Sequence, residues 1–163
     1  MQDIRDKVLS GEMPLSIALG KALPDLRGKI SDTRLVWLVN ELQGYPNALE
    51  YYQRSAADFP PYRVVTGEMK LIDNKGNFGE CRHPLANRGN YFISAPLSWL
   101  EEAAGMDGSV SVIEMQELSG SFVKSGGGVV CVCTKDQIVR ILNSFKQSFV
   151  ALINEMSAAR PKT

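Results

Sequence analysis

The chain has 163 residues, with 18 Lys and Arg against 18 Asp and Glu, one His and three Cys. That length supports one core of ordinary size and excludes two catalytic domains side by side. Apolar residues at 44% and charged residues at 22% exclude wholesale disorder and fibrous repeats, and the zero formal charge argues against holding nucleic acid by bulk electrostatics.

The spacing predicts helices first. Ile4 and Val8 mark a short segment that Gly11 stops. Pro14 suits the first turn of the next helix, where its missing N–H costs nothing. Leu15, Ala18, Leu19, Ala22 and Leu26 follow at helical spacing. Pro24 is expected to kink or split that stripe, and Gly28 to end it. Ser31 or Asp32 can cap a helix over about residues 32–43, with Leu35, Leu38, Val39 and Leu42 as its core face. Gly44 stands where a left-handed cap belongs, and Pro46 prevents continuation.

From Pro60 the pattern changes to strands. Tyr62 to Ile72 is rich in β-branched and aromatic residues, with Val65, Met69 and Leu71 on one face. Asp73-Asn74-Lys75-Gly76-Asn77 is a turn cluster that leads into a returning strand through Phe78 to Arg82. Tyr91-Phe92-Ile93 is a further strand, and Pro96 with Ser98-x-x-Glu101 opens a short helix. Residues 109–118 are expected to be helical, from the Ser111-x-x-Glu114 pattern, against the strand preference of Val110 and Val112. Ser121-Phe122-Val123 and Val129 to Cys133 flank a Gly126-Gly127-Gly128 turn as a hairpin. Thr134-x-x-Gln137 opens the longest helix, striped by Ile138, Ile141, Leu142, Phe145, Phe149, Leu152, Ile153 and Met156. The expected fold is α+β, a single domain over residues 1–163. It has a helical part over about 1–56, a small central antiparallel sheet within about 60–133, and an amphipathic C-terminal helix over about 134–157.

Little in the sequence looks reactive. His83 is the sole imidazole. Cys81 lies two residues away, about 6–7 Å between Cα atoms in an extended segment, a poor distance for proton transfer. Cys81, His83, Cys131 and Cys133 number enough for tetrahedral zinc, but the Cys-x-Cys spacing is wrong for the usual site, and the Val-rich run around Cys131 suits a core strand. Gly126 to Gly128 precedes a strand and lacks the Lys-Ser/Thr of a phosphate loop. Arg63, Lys70, Lys75, Arg82 and Arg88 form a modest basic cluster, thin for nucleic-acid binding. No catalytic residue, metal or cofactor is assigned. The odd cysteine count reads as reduced thiols in a cytosol. No apolar run reaches the roughly 20 residues of a membrane span, and the polar start Met1 to Asp6 is unlike a signal peptide. The expected location is cytoplasmic, with no membrane partner.

Charge is unevenly laid out. Residues 95–118 hold Glu101, Glu102, Asp107, Glu114 and Glu117 without Lys or Arg, whereas residues 119–163 carry a basic excess. Both runs can be solvated faces or complementary docking surfaces.

The most informative constellation is Trp37, Glu41 and Tyr45, spaced i, i+4 and i+8 along one side of a helix. Arg63 follows after a short loop, within Pro60-Pro61-Tyr62-Arg63. A polar clamp is expected in which Arg63 bridges Glu41 under cover of Trp37 and Tyr62. The same group read functionally is a ligand or partner pocket. Trp37 to Pro46, followed by Pro61-Tyr62-Arg63-Val64-Val65-Thr66-Gly67, resembles the AbiTii domain of bacterial abortive-infection proteins. That family shows a Trp-x-x-x-Glu-Leu-x-Gly-Tyr helix end and then a Pro-x-Tyr-Arg strand entry. The resemblance implies a role in defence against bacteriophage. It transfers Trp37, Glu41, Gly44, Tyr45, Tyr62 and Arg63 as motif positions and supplies no catalytic residue. Two departures stand out: Pro24 interrupts a helix that the family keeps continuous, and the last helix carries no attached effector, which implies action in trans or alone.

The expected function is thus a non-catalytic interaction or regulatory module, binding a separate effector or self-associating. Val139 and Val150, off the main stripe of the last helix, are the candidate interface residues. The competing reading is a small toxin enzyme, an RNA-directed nuclease using His83 and nearby basic residues.

Overall fold

A computed structural model describes residues 1–53, 59–118 and 127–158. The fold is α+β. Three helices come first, α1 (Gln2–Ser10), α2 (Leu15–Leu26) and α3 (Asp32–Gln43), followed by the one-turn α4 (Glu50–Gln53). A 3-10 turn at Pro61–Arg63 feeds β1 (Val64–Ile72), which is followed by β2 (Phe78–Glu80), β3 (Asn90–Phe92), α5 (Leu97–Gly105), β4 (Val110–Glu114), β5 (Gly128–Thr134) and α6 (Lys135–Ala158). The sheet is antiparallel in the order β2-β1-β5-β4, and β3 pairs with the first residues of β1.

α6 unites two cores. Its first turns put Ile138 and Ile141 against Val65, Met69, Ile113, Cys131 and Cys133 on the inner face of the sheet. Farther along, Phe145, Phe149, Leu152 and Ile153 pack with Val8, Leu19, Leu26 and Leu38 of the N-terminal helices. A third, aromatic cluster of Tyr45 and Phe92, with Tyr51, Tyr52 and Phe59 against it, closes the end of α3 over β3. Phe92 meets the Tyr45 ring edge-on at 5.1 Å.

Several local expectations change in the folded chain. Residues 110–114 form β4 rather than a helix. Each residue from Val110 to Glu114 is in register with β5, and Ser111 points inward instead of capping. Cross-strand packing of β-branched residues outweighs the local capping pattern. α2 runs unbroken through Pro24. The proline sits in the last turn, and the burial of Leu19, Leu23 and Leu26, roughly 1.5–3 kcal/mol each, outweighs the lost hydrogen bond. Pro14 is the N-cap of α2 rather than a first-turn residue. Ser98 does not cap α5, whose N-cap is Pro96. Glu101 instead accepts from the Ser16 N–H at 3.2 Å, capping α2 across the helix interface. Gly44 has φ 96° and ψ 161°, a glycine conformation but not the left-handed helical one. Tyr62 and Arg63 lie in the 3-10 turn ahead of the strand. Of the proposed 121–133 hairpin, Ser121-Phe122-Val123 lies outside the described residues.

Candidate functional site

The hydrogen-bonded end of α3 defines the site. Ser31 caps its start, its hydroxyl accepting from the Arg34 N–H at 3.3 Å. The helix then delivers Leu38 and Glu41 to the interior. Gly44 turns the chain so that the Tyr45 N–H donates to the Ser94 carbonyl at 2.9 Å. A Cβ on Gly44 would stand 3.1 Å from that same carbonyl, so only glycine fits without displacement.

The structure brings Glu41 and Arg63 together in the core, both without exposure. The Arg63 Nε–H donates to Glu41 Oε2 at 2.6 Å, and Nη2 donates to Oε1 at 3.2 Å. Nη1 donates to the carbonyls of Ile93 and Ala95 at 2.7 and 2.6 Å. Four of the five guanidinium N–H donors thereby have fixed acceptors. Tyr45 donates its hydroxyl proton to Glu41 Oε2 at 2.5 Å, and its ring lies 5.0 Å from the guanidinium carbon. Burial, with the Glu41 charge beside it, pushes the Tyr45 phenol far above its ordinary value, so it stays a donor. Burial does the same to Tyr62. The Trp37 indole N–H donates to the Tyr62 hydroxyl at 2.9 Å, and its ring packs 5.6 Å from Phe145 of α6. The group joins α3, the 3-10 turn that enters β1, the 93–95 segment and α6.

Beside the clamp lies an open cleft of about 410 Å³, lined by Asn40, Gln43, Gly44, Ser94, Gln116 and Glu117, among others. The Ser94 hydroxyl donates to Glu117 Oε2 at 2.6 Å. Glu117 Oε1 is buried and has no hydrogen-bond partner among the described residues. Burial holds the Glu117 carboxyl above its ordinary range. Sequence reasoning missed this wall. The acidic run contains Glu117, but nothing local distinguishes it from its exposed neighbours.

Other candidates lie elsewhere. The His83 Nδ1 accepts from the Leu85 N–H at 3.1 Å, capping the 3-10 turn Pro84–Asn87. Arg63 is enclosed and unavailable to a nucleic acid, Lys70 pairs with Glu68 at 3.4 Å, and Arg88 lies over the Tyr52 ring. Cys81, Cys131 and Cys133 are buried free thiols. The hydrogen bond with Cys133, reinforced by burial, pushes the Cys131 thiol up and keeps it protonated. Among the described residues, no group of three or more His, Cys, Asp and Glu side chains is placed to hold a metal ion. Val139 is 39% exposed on α6. Val150 is half-buried in a shallow groove beside Leu9, Asn143 and Lys146. No helix among the described residues is long and apolar enough to cross a membrane.

An exposed apolar strip beside β4 was not among the candidates. Met106, Val110 and Val112 are 64%, 56% and 40% exposed there, and β4 is the last strand of the sheet among the described residues. Met106 and Val112 line a hollow of about 260 Å³ with Trp99, Glu102 and Glu114. Comparison with protein-family models, curated proteins and solved structures finds no match.

Proposed function

We propose that this chain is a non-catalytic interaction module of a bacterial abortive-infection system, acting by docking onto a separate effector protein. The motif of Trp37 to Pro46 and Pro61 to Gly67, which resembles the AbiTii domain, is the ground for the defence role. The docking role is carried by one observation, the exposed strip of Met106, Val110 and Val112 beside β4, the last strand of the sheet among the described residues. Its acidic rim, Glu102 and Glu114, favours a partner with a basic border around an apolar surface. A second copy docked through the same strip would set like charges together. The burial of the Glu41–Arg63 pair supports an architectural role for the motif, since neither charge can reach a substrate. The nuclease alternative has less support, because Arg63 is withdrawn from its basic cluster and the His83 Nδ1 is engaged in a turn.

Plaque assays in cells carrying the native locus test the proposal. Val112→Lys should abolish protection with an unchanged melting temperature, and His83→Ala should retain it. Val139→Asp and Val150→Asp report on the helix surface in parallel. Full protection by Val112→Lys would exclude the strip as the docking surface. Loss through a stably folded His83→Ala would restore the enzyme.

A further inference from the structure

The cleft beside the clamp is built as a receptor for donors. Its lining residues include no Lys or Arg. Asn40, Gln43 and Gln116 bring carboxamides, and Glu117 brings a carboxylate with one oxygen satisfied by Ser94 and the other buried with no partner among the described residues. A buried carboxylate oxygen without a donor is costly, and a positively charged N–H donor answers both its hydrogen bonding and its charge. Arg63 cannot serve, because it is wholly buried outside the cleft lining and four of its five donors are committed to Glu41, Ile93 and Ala95. What Arg63 does instead is hold the wall. Its Nη1 fixes the Ile93 and Ala95 carbonyls on either side of Ser94, whose own carbonyl takes the Tyr45 N–H. Ser94 is thereby set to orient Glu117. The volume of about 410 Å³ falls in the range of small-ligand sites.

The geometry points to a binding site in this cleft for a small organic cation, a guanidinium or primary ammonium compound, held by the half-buried Glu117 carboxylate and the surrounding carboxamide oxygens. The site excludes phosphates and carboxylates, which would meet Glu117 with no compensating cation. It is independent of the docking strip.

The test uses the full chain, with amide chemical shifts followed by NMR during titration. Methylguanidinium and putrescine separate the two donor types, and methylurea is a neutral match in shape. The expected result is saturable shifts at Gly44, Ser94 and Gln116 with at least one cation and none with methylurea. Glu117→Gln should weaken that binding at least about tenfold, the size of one charge-assisted hydrogen bond. Gln43→Lys, at an exposed position on the cleft, should abolish binding by placing a fixed ammonium there. Absence of localised shifts with both cations, equal response to methylurea, or unchanged affinity in folded Glu117→Gln or Gln43→Lys would overturn the assignment.

Discussion

Glu41 and Arg63 exemplify how a buried charge pair constrains a fold. Each is wholly enclosed, so each depends on the other for compensation. Arg63→Ala leaves the Glu41 carboxylate in the core without its counter-ion and should lower unfolding free energy by about 3–5 kcal/mol. Replacing both, Glu41→Leu with Arg63→Met, should recover a large part of that loss, because two desolvated charges disappear together. Urea denaturation of wild type, Glu41→Leu, Arg63→Met and the double variant measures the coupling, and additive single effects would show that the pair is not coupled. Glu117 makes the opposite case. Burial raises its carboxyl above the ordinary value, against the opposing pull of the Ser94 hydroxyl and of its own backbone N–H. The native chain therefore holds this proton to higher pH than the unfolded chain does. The resulting stabilisation is complete below the unfolded value and is lost as pH rises through the folded one. Glu117→Gln removes the titration, so its melting temperature relative to wild type should climb from acid to neutral pH. A difference that stays flat with pH would contradict the buried carboxyl. Tyr52 and Cys131 also feel the Glu117 charge, but both have raised values and stay neutral over this range.

At the scale of elements, α6 does more than cover the sheet. β5 pairs with β1 only from Gly67 onward, which leaves the edge of residues 64–66 open on that side. Gln137 takes over the ladder there, its Oε1 accepting from the Thr66 N–H at 2.7 Å and its Nε2 donating to the Thr66 carbonyl at 2.8 Å. One turn on, the Arg140 guanidinium donates to the Val64 carbonyl at 2.7 Å. Two side chains of a helix thus continue a strand's hydrogen bonding. Gln137→Ala should cost about 1–2 kcal/mol, two ordinary hydrogen bonds at a partly solvated site, and should speed hydrogen exchange of the Thr66 amide. Unchanged exchange would mean that the carboxamide does not protect this edge. Gln137 was visible in the sequence only as half of a capping pattern with Thr134. Its side chain does reach the Thr134 hydroxyl at 3.2 Å, but its stronger contacts lie on a strand seventy-one residues earlier in the chain.

For the molecule as a whole, the acidic run of residues 95–118 is shared among distinct roles. Glu101 caps α2, Glu117 forms the wall of the cleft, and Glu102 and Glu114 border the exposed strip. None of them forms an ion pair among the described residues, where the pairs are Arg5–Asp6, Lys7–Asp3, Arg34–Glu155, Arg63–Glu41 and Lys70–Glu68. An unpaired acidic border on an apolar strip supports a docking role on a basic partner better than attraction to the protein's own basic half does. The exposed Arg34–Glu155 pair and the Arg5–Asn154 hydrogen bond fasten the N-terminal helices to the end of α6. Solvent screening leaves them little energetic weight beside the buried phenylalanines of the same helix.

By itself the sequence determined the elements whose periodicity is local: α3 between Ser31 and Gly44, the Asp73 turn, and the apolar stripe of α6. It also placed Trp37, Glu41 and Tyr45 on one side of a helix and supplied Arg63 as the partner for Glu41, because helical spacing and opposite charge are properties of nearby residues. The tertiary structure alone decided that Glu41 and Arg63 lose all contact with water, and that two further guanidinium donors go to the Ile93 and Ala95 carbonyls. It also decided that Glu117 faces a cleft while Glu114 faces solvent, and that residues 110–114 join a sheet. Those outcomes depend on which surfaces exclude water and which backbone groups lack partners once distant segments meet. Residue spacing along one element carries no record of either.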